Sequence, residues 1–276
     1  MDRIRLIASD MDATLLDEQS QLPADFEETI HALAELGIRF APASGRPLYT
    51  LEELFPALRD ELVFIGDNGG AIRWKGQNLF TSEMSPEGWR ALNRLTREQG
   101  DIAVLCGLES AYVERPFAVH DAVLRHFYTK IEYVDRLEDV AAPADKFTIY
   151  LPQHNAQQAY DTVYASQRSI YSVAVAGECW VDIMNPGVHK GAALQTLGQL
   201  WSLPSESIMA FGDTYNDAEM LRTAKYGFLM ENGSVPLRRN VPFLAPSNRE
   251  AGVMQVLHRV LAQNGCVCPE DFIPAH

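Results

Sequence analysis

Positive charge is what this sequence most lacks. Its 276 residues hold 23 Lys plus Arg against 37 Asp plus Glu, a formal net charge of −14. Gripping a nucleic-acid backbone takes clustered Lys and Arg, so the deficit excludes a general nucleic-acid binder. It argues equally against docking on an anionic membrane. Long apolar runs are missing too: nothing approaches the roughly 18 residues of a membrane helix. The start, Met1-Asp2-Arg3-Ile4-Arg5, lacks the basic region and apolar core of a signal peptide. Four cysteines, Cys106, Cys179, Cys266 and Cys268, are too few for a disulfide framework and point to a reducing, cytoplasmic setting. Cys266 and Cys268 have no companion pair at zinc-site spacing and read as two thiols in a tail. What is present is a globular composition, 47% hydrophobic and 22% charged, which excludes disorder. Any anion this protein binds must be met by a local cation.

Strand and helix signals alternate through residues 1–84. Strands are expected over 5–9, 38–43 and 62–65, a helix over 23–36, and a hairpin over 71–83 about Lys75-Gly76. Pro42 predicts an irregularity or an edge position for the second strand. Over 85–185 the texture changes. Ser85-Pro86-Glu87 starts a helix that Gly100 stops. Strands near 101–106, 110–114, 146–151, 170–176 and 179–184 then surround helices near 118–128 and 154–167, which suggests an antiparallel sheet with helices on one face. The alternation returns with a helix over 190–201, a strand over 207–211, a helix over 216–224, a strand near 226–230 and a helix near 249–263. The expected fold is therefore α/β: a doubly wound parallel sheet (residues 1–84 and 186–276) with an inserted α+β domain (85–185).

In a doubly wound sheet, ligands sit beyond the carboxyl ends of the strands. Four segments fall there: Asp10-Met11-Asp12-Ala13-Thr14, Ser44-Gly45-Arg46, the approach to Lys190, and Gly212-Asp213-Thr214-Tyr215-Asn216-Asp217. Asp10, Asp12, Asp213 and Asp217 in one crevice would repel one another unless a cation neutralised them. Ligands that are all oxygen favour a hard ion, and Mg²⁺ suits a sparse carboxylate set. A hydroxyl with following amides, an Arg and a Lys supply donors for a phosphoryl group. A carboxylate can serve as the nucleophile, and a second can protonate the leaving oxygen and then activate water.

At these residues the sequence resembles the haloacid dehalogenase superfamily, specifically its Cof-type (class IIB) phosphatases. The DxDGT motif stands as Asp10-Met11-Asp12-Ala13-Thr14, the Thr/Ser-Gly-Arg motif as Ser44-Gly45-Arg46, the motif lysine as Lys190, and GDxxND as residues 212–217. The family's Asn-Gly turn is matched by Asn68-Gly69. The resemblance implies a Rossmann-like core with an inserted cap, and Mg²⁺-dependent hydrolysis of a small phosphorylated metabolite, a sugar phosphate or phosphorylated cofactor, through an aspartyl phosphate. It implies Asp10 as nucleophile and metal ligand, and Asp12 as general acid/base with its carbonyl on the metal. Ser44, Gly45 and Lys190 would hold the phosphoryl group. Asp213 would bind the metal directly and Asp217 through water or an indirect bond. Asn216 would orient the phosphate or the metal's water, with Arg46 and Asn68 lining the site. Two alternatives belong to the same resemblance: a phosphomutase, or a catalytically weak phosphosugar-binding protein. A monomer or homodimer is expected. Ala13 stands where the family has Gly, and a negative φ is expected there. His120, His126 and His189 read as surface or satisfied histidines, and Trp89, Trp180 and Trp201 as core residues. Arg115, Lys146 and Trp180 are the cap side chains that could face substrate.

Overall fold

The computed structural model describes residues 1–275. The chain begins with a two-residue strand, β1 (Asp2–Arg3), and then β2 (Leu6–Asp10), α1 (Phe26–Glu35), β3 (Arg39–Ala43), α2 (Leu48–Glu53) and β4 (Val63–Gly66). A hairpin of β5 (Ala71–Trp74) and β6 (Gln77–Thr81) follows. The middle of the chain contributes α3 (Pro86–Gln99), β7 (Ile102–Gly107), β8 (Ala111–Glu114), α4 (Asp121–Phe127), β9 (Ile131–Val134), β10 (Ala144–Tyr150), α5 (Ala156–Thr162), β11 (Ser172–Val175) and β12 (Trp180–Met184). Last come α6 (Lys190–Leu200), β13 (Ile208–Gly212), α7 (Ala218–Thr223), β14 (Tyr226–Met230), β15 (Phe243–Ala245), α8 (Gly252–Ala262), β16 (Cys266–Val267) and β17 (Ile273–Pro274).

Local chemistry accounts for these elements. In α1, Phe26, Ile30 and Leu33 form a buried stripe, and Gly37 turns the chain at φ 75°. The Ser85 hydroxyl accepts from the Gly88 amide at 3.1 Å, Pro86 opens α3, and Gly100 closes it at φ 73°. Lys75 and Gly76, at φ 50° and 72°, supply the two left-handed residues of a tight hairpin turn.

Nine strands form the larger sheet, in the order β17-β15-β14-β13-β2-β3-β4-β5-β6, parallel from β15 to β4. Helices α1 and α8 cover one face and α6 and α7 the other, so the sheet is doubly wound. Phe26, Phe40, Phe55 and Phe64 interlock on the first face, each contributing about 1.5–3 kcal/mol by burial. Of the two outcomes expected for Pro42, an edge is not found, since β3 lies between β2 and β4, but an irregular ladder is. Arg39 donates to Arg5 on the β2 side and Ser44 to Ile65 on the β4 side. Alternation therefore turns the Pro42 nitrogen toward β4, where the ladder is registered only at Ala43 and Ile65 and little is lost.

The smaller sheet runs β11-β12-β10-β7-β8-β9. It departs from the expected antiparallel module in two ways. The β8–β9 pair is parallel, because residues 115–130 form a crossover long enough to carry α4. Helices also lie on both faces: α3 and α5 pack on one, while Leu124 of α4 and Tyr128 just beyond it pack against the other with Trp180. The short elements α2, β9 and β15 had no expectation, and the helix expected at 216 starts with a 3₁₀ turn over Tyr215–Asp217. Among the described residues no helix is long and apolar enough to cross a membrane.

Candidate active site

Strands β2 and β13 are parallel neighbours, so their carboxyl ends bring Asp10 beside the loop that starts at Asp213. Lys190, the first residue of α6, reaches between them. Its Nζ donates to Asp10 Oδ1 and, at 2.7 Å, to Asp217 Oδ1, and only 1% of the side chain is exposed. Asp217 Oδ2 accepts from the backbone amides of Asp213 and Thr214 at 3.1 and 3.2 Å. Gly212 makes this possible, since a Cβ there would lie 2.4 Å from that of Asp217. Asp213 Oδ1 accepts from the Thr14 hydroxyl at 3.4 Å. Carboxylate oxygens of Asp10, Asp213 and Asp217 all lie within 4.8 Å of one another.

Burial pushes the Asp10 carboxyl well up, helped by Asp217 and Asp213 and opposed by Lys190. Burial pushes Asp213 up to about 6, with Asp217 adding to the rise. Lys190 moves up, because attraction to Asp10 and Asp217 outweighs its burial. Lys190 pairs with two of the three acids and Asp213 has no cation of its own among the described residues, so the site holds more acidic groups than its own lysine balances. An oxygen-only cluster with that imbalance fits a hard divalent cation.

A cavity of about 610 Å³ opens over this cluster, lined by Asp10, Asp12, Ser44, Gly45, Arg46 and Asn68 among others. Asp213 and Asn216 line it too, so the sequence-predicted residues share one space with two exceptions. Lys190 and Asp217 sit behind it, and Lys190 instead borders a second cavity of about 420 Å³. Asp12 is open to the cavity, its carboxylate held by the Arg46 guanidinium at 2.8 and 2.9 Å. Ser44 Oγ accepts from the Arg46 amide at 3.1 Å.

Ala13 departs from expectation: its φ is +58°. An alanine in that region is strained by about 1–2 kcal/mol. The loop keeps its place because the Asn232 amide donates to the Ala13 carbonyl at 2.8 Å. Asn248 in turn donates to the Leu16 carbonyl at 2.9 Å. Nothing in the sequence points to either asparagine, since each lies over 200 residues from the loop it holds.

Trp180 was read as core and also as a possible substrate contact. It is 8% exposed, packed on Tyr150 and Phe127 at 4.6 and 5.0 Å between ring centroids, yet it lines the large cavity with Phe127 and Tyr128. Lys146 lines the cavity as well, but its Nζ is held by protein acceptors. Arg115 is on the surface, paired with Asp135 at 3.1 Å. His189 caps α6, its Nδ1 accepting from the Ala192 amide at 3.1 Å. Trp89 is a buried core residue, and Trp201 packs edge-on to Trp74.

Residues 7–257 match the model of the haloacid dehalogenase-like hydrolase family. The chain is 32% identical to the 5-amino-6-(5-phospho-D-ribitylamino)uracil phosphatase YbjI of Escherichia coli, over 94% of this chain and 96% of that protein. It is 30% identical to the HMP-PP phosphatase of Cronobacter sakazakii, over 87% of this chain and 89% of the other. Among solved structures, SMU.1108c of Streptococcus mutans is similar with a TM-score of 0.83 and 30% identity, covering 94% of this chain and 99% of that one. Four motifs in order, a doubly wound sheet that gathers them, and full-length relatives lead to one conclusion: the chain belongs to the haloacid dehalogenase-like hydrolases, as a phosphoric monoester hydrolase of their Cof type.

Proposed function

We propose that this protein hydrolyses a small phosphorylated metabolite through a phosphoryl group carried on Asp10. One observation carries the reading: Asp10, clamped by Lys190 and grouped with Asp213 and Asp217, faces the same cavity as Asp12, Ser44 and Gly45. Ser44 and the Gly45 amide would hold the non-bridging oxygens while an Asp10 oxygen attacks phosphorus. Asp12, open to the cavity, would donate its carboxyl proton to the departing oxygen and then, as the carboxylate, take a proton from the water that cleaves the acyl phosphate. Lys190 keeps Asp10 in place and offsets its charge, and Asn216 and Arg46 border the phosphoryl pocket. Asp10, Asp213, the Asp12 carbonyl and, less directly, Asp217 would hold Mg²⁺. Bound there, the ion supplies the positive charge that lets an anionic nucleophile approach an anionic phosphoryl group.

Residues 85–185 would act as a cap that excludes water and selects the leaving group. The aromatic wall of Phe127, Tyr128 and Trp180 supports a leaving group with a flat apolar face. The Escherichia coli relative is named for a phosphate ester that carries a uracil ring. The test is phosphate release from a panel of phosphoesters, with and without Mg²⁺. Turnover should vanish in excess chelator and fall by about 10³-fold or more in Asp10→Asn. Full activity of either would end the reading, and an isomeric sugar phosphate in place of free phosphate would make the enzyme a mutase.

A further inference from the structure

Beside the catalytic cluster lies a second buried set of charges that the proposed reaction does not use. Lys146, on β10 of the smaller sheet, is 2% exposed. Its Nζ donates to the Gly45 carbonyl at 2.6 Å and lies 3.0 Å from Asp67 Oδ1 and 3.5 Å from Asp182 Oδ2. Asp182, on the neighbouring strand β12, accepts from the Asn68 side-chain Nδ2 at 3.0 Å and from the Thr148 hydroxyl at 2.7 Å. Two cap strands thus grip two core loops, the one after β3 and the one after β4.

Those loops are already joined: the Asn68 amide donates to the Ser44 carbonyl and the Asp67 amide to the Arg46 carbonyl, each at 2.9 Å. Asp67, Asn68 and Gly69 are three successive residues at φ 50°, 55° and 99°. Such a run costs energy at its two non-glycine positions and persists only where its surroundings hold it. The Asn68 side chain lies against Gly45, where a Cβ would be 3.2 Å from Asn68 Oδ1. The Lys146 ammonium donates to the Gly45 carbonyl and lies between the Asp67 and Asp182 carboxylates, so its charge is matched inside the protein.

We infer that Lys146 and Asp182 form a cap-borne clasp that sets the Ser44-Gly45-Arg46 loop through the Gly45 carbonyl and Asn68, making Lys146 a positioning residue for phosphoryl transfer. The inference rests on the proposed phosphatase activity only for its kinetic readout. A clasp acting on the loop affects every substrate alike, whereas a lysine reading the leaving group would not.

The test compares wild type with Lys146→Met, with Mg²⁺ present, on p-nitrophenyl phosphate and glycerol 2-phosphate. We expect kcat to fall by about 10–100-fold by the same factor on both, with KM changed less than threefold. Asn68→Ala combined with Lys146→Met should lose little more than Lys146→Met alone, because both act on one loop. A loss confined to one leaving group, additive losses, or no loss would overturn the proposal. Should Lys146→Met fail to fold, Lys146→Met with Asp67→Asn keeps the buried charge balanced and takes its place. Amide exchange needs no turnover: residues 44–46 and 67–69 should exchange at least tenfold faster in the variant. Unchanged exchange there overturns the clasp even if the wild type hydrolyses nothing, a result that would instead overturn the proposed activity.

Discussion

At the scale of single residues, Ala13 shows a functional loop held against its own preference. Its positive φ puts the methyl where glycine would fit freely, and Asn232 and the following Thr14–Asp213 contact keep the turn in place. Ala13→Gly removes the strain but loosens the unfolded chain, which gives back about 0.4–1 kcal/mol. The net expectation is a gain of about 0.5–1 kcal/mol, seen as a Tm raised by about 1–4 °C, with phosphate release undiminished. A lower Tm would show that the alanine methyl makes a contact worth more than the strain. The motif alone could not give the sign of φ at position 13, because the backbone there is fixed by Asn232 and Asn248, residues with no sequence signal pointing at the loop.

Elements carry the next level of control. The end of β13 brings Asp213 to the site, and Gly212 allows Asp217 to fold back over it. Through Asp217 the same glycine governs where Lys190 can sit. Gly212→Ala should therefore cost about 1–3 kcal/mol in urea unfolding from overpacking and lower kcat by about 100-fold, a loss that a stability effect alone would not produce in the folded fraction. Periodicity and caps made most such elements legible: the α1 stripe, the Ser85 cap, the Lys75-Gly76 turn and the apolar strands read directly. Pro42 left two outcomes open, an edge or an irregularity, and the irregularity is the one found. A proline excludes a ladder bond on one side only, and sequence cannot say that the neighbour on that side, β4, pairs with β3 at a single position. The strand β9 went unread because Ile131–Val134 is short and its pairing with β8 depends on a crossover.

For the whole molecule, the acid surplus divides between surface and site. In the metal-free protein, Asp213 holds its proton up to about pH 6 and Asp10 holds its own higher still, both chiefly through burial. A carboxyl whose pKa is raised on folding stabilises the fold below its unfolded value and loses that contribution as pH rises through the folded value. Stability of the metal-free protein should thus decline as pH climbs from about 4 through 6 and beyond. Mg²⁺ bound as proposed would compete with protons for the same oxygens. Magnesium at about a hundredfold excess over its Kd should add about 2.7 kcal/mol, a Tm rise of about 5–10 °C at pH 8, and much less at pH 5. A rise equal at both pH values would place the ion elsewhere.

Sequence by itself determined which chemistry this chain can perform. Three short motifs at the ends of apolar strands carry the carboxylates and the hydroxyl, and a fourth places the lysine at the start of a helix. What only the tertiary structure decided is how those groups are held. Lys190 is committed to Asp10 and Asp217 behind the cavity, Asp12 faces Arg46, and Lys146 closes on Gly45 from across the molecule. Each of these is a long-range pairing between groups that local sequence leaves free to point anywhere. For Lys190 and Lys146, burial selects the partners by making an unpaired charge too costly.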